Sequence, residues 1–312
     1  MIPIVEVAKG IFRIGPLETF ARTPNTSPYL VVGEERAAIM EIGEEGQVPA
    51  LLQAIRHIGV GYDRIAYFIS SHIHLHHVAG LNLLLHQLPQ AKMVAHQRAV
   101  PHLVEPTRLN EGTFAVWGAG CPSLSPVPED RIWGVAGGEI IDLGGRQLEI
   151  IDATGHAPHH LAIFDRLTRA LFPGDAVGTI RLGKERARPD ILPPLFDIER
   201  AIETLRRLRA LKPSVLFLFG YGGVSHSPDK TLQWGEQDVR AIEGIVRKGM
   251  RQKVGSQEIG RRVRAYYDQI GTREPTEDEE VVVPEGGPQG AGAPIGMCAY
   301  LHREDPSLEM PQ

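Results

Sequence analysis

The stretch FISSHIHLHHVAG, residues 68–80, places four histidines, His72, His74, His76 and His77, within six positions. It follows the apolar, aromatic run RIAYFIS, which reads as a strand buried on both faces. The histidines therefore sit at a strand end. His72 and His74 share a face if the strand continues, and converge as a loop pair if the chain has already turned. His77 lies three positions beyond His74, within reach of one helical turn. Neutral imidazole is the commonest protein ligand for zinc and also suits iron. Imidazoles this crowded would repel one another whenever protonated, so a metal site accounts for them better than a solvated turn does.

Around this stretch the chain reads as strands followed by a helix, twice over, at about residues 1–90 and 130–230. IVEVAKGIFRIG alternates as a hairpin around a Lys-Gly turn, and SPYLVVGEERAAIMEIG gives two strands joined at Gly33-Glu34. QVPALLQAIRHIG has helical spacing and ends at Gly59. LNLLLHQL is a short helix, AKMVAH a strand, residues 97–112 a mixed helix-loop segment, and 118–130 a Pro/Gly/Ser loop. GEIIDLGGRQLEIIDAT is a hairpin around Gly144-Gly145, and HLAIFDRLTRALFPGD is a further strand pair. DIERAIETLRRLRAL is an amphipathic helix, and PSVLFLFG a buried strand. From Ser227, an N-cap before proline, the chain reads as helical to about residue 270. Residues 272–296 read as an exposed loop before a last short helix. This organisation suggests a main domain over 1–230 and a helical extension over 231–312 packed on it.

The totals narrow the function classes. The 312 residues suffice for a large core, and a net charge of −5 offers no basic excess for a nucleic acid. No run is long enough to span a bilayer, and the N-terminus lacks the layout of a signal peptide, so a cytoplasmic location is expected. Cys121 and Cys298 are far apart and form neither a disulfide framework nor a thiolate zinc motif. The partner expected is a small-molecule substrate rather than a nucleic acid or a membrane, with a homodimer admitted.

Two later segments join the histidines. DATGHAPHH (152–160) sets His156 in a glycine-flanked turn after a strand, and ALFPGDAV (170–177) sets Asp175 at another strand end. The order HxHxxH, then TGH, then GD after a strand resembles the metallo-β-lactamase superfamily. NTSPYLVV, AVPHLVEPTRL, PVPEDRI, GHAPHHLAIFD and LFPGDAVG extend the likeness over about residues 1–230, to an uncharacterised hydrolase-type branch. The resemblance implies an α/β fold, a four-layer αββα sandwich with the metal site at its edge, here carrying a helical C-terminal extension.

It further implies that His72, His74 and His156 surround a first metal, that Asp175 bridges two, and that His77 binds the second. Two positions depart from the family. The family pattern is HxHxDH, and His76 holds its aspartate position. The family's last histidine, in a turn after the final core strand, falls on Tyr221 in LFLFGYGGVSHS (216–227), with His226 five residues later. His76 is expected either to complete the second site or to orient and shuttle a proton. His226 is expected to replace the missing ligand, with Tyr221 standing in the cleft without ligating. A phenolate on ferric iron, a hydrogen-bond donor to substrate and a packed aromatic are the other roles open to Tyr221. His159 and His160 are expected to orient a ligand, His96 to line the cleft, and His57, His86 and His102 to lie on helical surfaces; His302 has no evident partner.

The implied activity is a metallo-hydrolase with one or two zinc ions, or iron. A metal-bound hydroxide would attack an ester, lactone, thioester or similar carbonyl. Alternatives are a mononuclear iron dioxygenase of the same fold and a catalytically weakened metal- or ligand-binding protein. A diiron flavoprotein would carry glutamate where this chain has His74, and a nuclease of this fold would want a basic surface.

Overall fold

The computed structural model describes residues 2–17, 26–118, 120–180, 186–191, 195–272 and 292–311. Among these residues the strands form two sheets, one of seven strands and one of six. The first begins with the hairpin β1 (Ile4–Ala8) and β2 (Ile11–Ile14), followed by β3 (Tyr29–Val32) and β4 (Ala37–Met40), all antiparallel. It continues in parallel through β5 (Ile65–Ile69), β6 (Lys92–His96) and β7 (Ile132–Val135). Parallel neighbours need crossovers. These are α1 (Val48–Ile58), then α2 (Leu75–Val78) with α3 (Leu81–Gln87), then α4 (Val100–Val104) with α5 (Thr107–Trp117). Gly59 ends α1 in the left-handed region, as its sequence position predicts.

The second sheet runs β8 (Ile140–Asp142), β9 (Gln147–Asp152), β10 (Leu161–Asp165), β11 (Ala170–Phe172), β12 (Val215–Phe217) and β13 (Val224–Ser225). β11 and β12 are parallel, joined across α6 (Ile198–Ala210), and β12–β13 is an antiparallel hairpin. The sheets face each other through a core of Tyr29, Val31, Met40, Ile69, Ile150, Ile163, Phe172 and Phe217. Tyr29 packs 5.3 Å from the ring of Phe172 and donates its hydroxyl to the carbonyl of Leu218 at 2.9 Å. That buried hydroxyl would cost free energy if unpaired, so the bond locks the sheets together near the strand ends.

Helices α1 and α3 cover the outer face of the first sheet, and α6 that of the second, which makes four layers in the order αββα. α6 also shares a core with α7 (Pro228–Arg251), α8 (Ser256–Gln269) and α9 (Gly292–Glu304). Four elements differ from the sequence reading. β7 and β13 were not expected; both are short, and β7 contains Gly134, so neither shows a usable alternation. The helix read from 227 to 270 divides at Gln252–Gly255, where Lys253 takes a left-handed φ of 54°. α9 begins inside the stretch read as a loop, whose residues 273–291 lie outside the described part.

Candidate metal centre

The strands deliver their C-terminal ends to one edge of the sandwich, and the polar residues collect there. After β5 the chain leaves the sheet at Ser70, so His72 and His74 occupy a loop and His76 and His77 the single turn of α2. His156 follows β9, and Asp175 follows β11. Two groups result: His72, His74, His156 and Asp175, and His76, His77 and Asp175, with ligand atoms inside each group all within 4.8 Å of one another.

Asp175 joins them. Its Oδ2 lies 3.7 Å from His72 Nε2, 3.7 Å from His156 Nε2 and 3.5 Å from His77 Nε2. His74 Nδ1 stands 2.7 Å from His72 Nε2 and 3.3 Å from His156 Nε2. Ligand nitrogens around a tetrahedral zinc sit about 3.3 Å apart, given Zn–N bonds of about 2.0–2.1 Å. The first group therefore converges on the right scale. The second supplies an independent sign: buried His77 Nε2 has no hydrogen-bond partner while facing Asp175. An orphaned imidazole nitrogen aimed at a carboxylate oxygen suits a cation between them. The donor set of imidazoles and one carboxylate fits zinc or iron.

Three of the candidate ligands are held from behind. His72 Nδ1 shares a 3.0 Å hydrogen bond with Ser71 Oγ, and His156 Nδ1 donates to the carbonyl of Asp190 at 2.8 Å. His77 Nδ1 donates to Glu41 Oε2 at 2.9 Å; Glu41 also accepts from Ser70 Oγ at 2.8 Å and from the amide of Ser71 at 3.2 Å. Such partners fix the ring orientation and the tautomer. Glu41 is buried and holds a left-handed φ of 60°, an unfavourable conformation for glutamate that its three partners maintain. The amide of Asp175 donates to His160 Nε2 at 3.0 Å, so His160 supports Asp175 rather than His156. Gly174 (φ 53°) lets that turn pass close by, since a Cβ there would lie 2.6 Å from Ser71 Oγ and 2.7 Å from His160 Nε2.

Burial and then the neighbouring imidazoles lower the pKa of His72 and His74 well below the ordinary value, which keeps both neutral and ready to donate a lone pair. His76 is pushed down to about 3 by burial and then by His77. Of the two roles expected from sequence, that depression suits a neutral ligand of the second group better than a proton shuttle. Burial also pushes His77 down, but Glu41 and Asp175, one on each nitrogen, outweigh it and raise the value to about 10. Facing a carboxylate on each nitrogen, His77 favours its protonated form, and a metal held at Nε2 would have to displace that proton.

A model of the metallo-beta-lactamase superfamily matches residues 22–221. The chain belongs to that superfamily. It is 30% identical over 206 residues to a metallo-beta-lactamase fold-containing protein of Sulfurisphaera tokodaii, covering 63% of this chain and 72% of that one. It is 27% identical over 190 residues to the hydroxyacylglutathione hydrolase GloC of Haemophilus influenzae, covering 61% and 81%. A metallo-beta-lactamase family protein of Thermus thermophilus shares the fold over 96% of this chain and 95% of its own, with a TM-score of 0.69 at 15% identity. These findings agree with the superfamily and sandwich expected from the motifs.

The two departures from the superfamily pattern fall differently. His76 lies in the second group. Tyr221 is half-buried in the turn after β12 with a left-handed φ of 55°. Arg13 Nη1, donating to the carbonyl of Gly222 at 2.8 Å, holds that turn, together with the amide of Ser27 on the carbonyl of Phe219 at 2.9 Å. His226 is not brought to either group: it is exposed and follows β13. β13 runs back along β12 with Leu216 opposite Ser225, which sets His226 level with Val215 at the start of β12, at the other end from Tyr221. The expected replacement ligand is on the wrong end of a hairpin.

His57, His86 and His102 are exposed, and His302 Nδ1 bonds the carbonyl of Leu308 at 2.9 Å. The sequence reading missed Glu41 and Asp190. Glu41 had one usable signal, an acid directly at the end of an apolar strand; Asp190 acts on His156 through its backbone and had none. Among the described residues, no helix is long and apolar enough to cross a membrane.

Proposed function

We propose that this chain is a metal-dependent hydrolase acting on an ester, lactone, thioester or similar carbonyl of a small substrate. The observation that carries the reading is the pair of His/Asp groups sharing Asp175. Superfamily membership and the hydroxyacylglutathione hydrolase relative support it, and make a thioester the first substrate class to try. His72, His74, His156 and Asp175 would hold one metal, and His76, His77 and Asp175 a second. A bound metal supplies Lewis acidity, lowering the pKa of water towards about 7 and polarising a carbonyl. The chain's own residues orient and insulate. Ser71, Asp190 and Glu41 fix the rings of His72, His156 and His77. His160 holds Asp175 at the junction, and Phe219 packs 4.7 Å from the His77 ring, closing one side against water. Zinc is the metal of this reading.

A second reading draws on the poorer second group, where a neutral histidine stands for the usual aspartate. A chain holding one iron through the first group would act as a mononuclear iron dioxygenase, and one holding a single inert metal would serve in binding. Metal analysis of protein purified without added metal, followed by ester, lactone and thioester panels, separates the three. Two zinc per chain with turnover supports the hydrolase. One iron without hydrolysis of any panel member supports the dioxygenase, and one metal or none without turnover supports binding.

A further inference from the structure

Among the described residues, a short piece of chain links the helices beyond residue 228 to the candidate metal centre. Residues 186–191 run past His156, and the carbonyl of Asp190 accepts its Nδ1 proton at 2.8 Å. Three anchors set where that carbonyl stands. Arg186 makes a two-pronged ion pair with Asp238 of α7, its Nε donating to Oδ2 at 2.9 Å and its Nη2 to Oδ1. Arg188 exchanges two 2.9 Å backbone hydrogen bonds with Thr179, whose hydroxyl also donates to Asp190 Oδ2 at 2.8 Å. Ile191 is buried in the core made by α6, α7, α8 and α9.

Asp238 is fully buried in the middle of α7. Besides Arg186 it accepts the hydroxyl of Tyr266 from α8. The Arg186 guanidinium in turn lies over the ring of Trp234, 5.2 Å from its centroid. A carboxylate placed in an apolar helix interface is costly unless satisfied from several sides. α7 meets that cost with two partners, Tyr266 within the helical layer and Arg186 on the segment touching His156. A forked guanidinium–carboxylate pair also fixes direction as well as distance.

We infer that Arg186 and Asp238 are positioning residues for the metal centre: they hold the Asp190 carbonyl where it keeps His156 bound through Nε2. An imidazole that ligates through Nε2 needs its Nδ1 proton taken by a fixed acceptor. The C-terminal helices thereby set the geometry of the first metal site from outside it. This rests on the metal-binding reading above.

The test is zinc titration of the metal-free full chain, paired with the visible spectrum of the cobalt(II)-loaded protein, which reports ligand geometry independently of activity. Arg186→Lys keeps the charge and loses the fork; Asp238→Asn keeps the shape and loses the charge. Ile242→Val, at a fully buried α7 position in the same helical core, is the control for loosening that layer. Both polar variants are expected to weaken the first zinc equivalent about tenfold, the lower end for losing support behind a ligand, and to shift the cobalt spectrum. Ile242→Val should do neither. Folded Arg186→Lys with wild-type affinity and an unchanged spectrum would overturn the inference, whether or not Asp238→Asn folds. Equal weakening by Ile242→Val would overturn it too, by reducing the effect to general loosening. A wild-type chain that takes up neither zinc nor cobalt would overturn the metal reading itself, and this inference with it.

Discussion

The two halves of the metal centre share Asp175 but are supported in opposite ways. His72 and His156 lean on neutral groups, a serine hydroxyl and a backbone carbonyl. His77 leans on a buried carboxylate, Glu41. The second half is also where the superfamily's aspartate is replaced by a neutral histidine, His76. Losing that carboxylate removes one negative charge from a place where two cations would stand close together. Glu41 supplies a negative charge to the same half from behind His77, through a hydrogen bond that makes the imidazole a stronger donor. A site can therefore hold its charge balance outside the ligand sphere, and the left-handed backbone of Glu41 is part of the cost.

Removing a corner of the first group should break the comparison outright. His74→Ala takes away the nitrogen that stands between His72 and His156, and the first metal equivalent should be lost from purified protein by elemental analysis. Full metal content in that variant would mean that the first group is not the principal site. Glu41→Gln is expected to act on the other half alone, weakening the second zinc equivalent by about 10–100-fold while leaving the first unchanged. Titration with zinc reads both equivalents in one experiment. Equal weakening of the two would show that Glu41 supports the loop as a whole and not His77 in particular.

The histidines and the aspartate that the fold groups together were readable because they lie at strand ends in short, ordered motifs, and each motif is local in sequence. Hairpins at residues 4–14 and 140–152 were readable for the same reason, through alternation around tight turns. What failed was non-local. His226 looked near Tyr221 along the chain, but the β12–β13 hairpin reverses direction and carries it to the far end of the strand. Glu41 reads as one more acid in MEIGEE, and only the parallel pairing of β4 with β5 brings it beside Ser70 and His77. The Asp190 carbonyl belongs to the backbone, so no side-chain pattern marks it. β13 spans two residues, too few for any periodicity.

Restoring the superfamily's carboxylate sharpens the contrast from the other direction. With His76→Asp, the second group would hold a ligand carboxylate and the Glu41 carboxylate together. Its affinity for a second zinc should rise about tenfold, the effect of roughly 1.4 kcal/mol of added attraction at a partly screened site. The double variant His76→Asp, Glu41→Gln should then bind the second equivalent close to the wild-type level, if the two carboxylates do the same electrostatic work. Unchanged second-site affinity in the single variant would show that position 76 does not govern that half.

Tyr221→Phe should have the smallest effect, and it asks whether the asymmetry is complete. The turn that carries Tyr221 is held by the backbone of Ser27, by Arg13 on the carbonyl of Gly222, and by the left-handed φ of 60° at Gly222. None of these needs the phenol hydroxyl. The side chain near this turn that packs on His77 is that of Phe219, two residues earlier. Tyr221 belongs to neither His/Asp group, so removing its hydroxyl should leave both zinc equivalents at wild-type affinity. Turnover of whichever ester, lactone or thioester proves best should fall by no more than about tenfold, the worth of one hydrogen bond to substrate. Loss of the second equivalent would make Tyr221 a ligand instead. The second half would then hold a phenolate besides its carboxylate, and Glu41 would no longer be needed to explain how it attracts a cation.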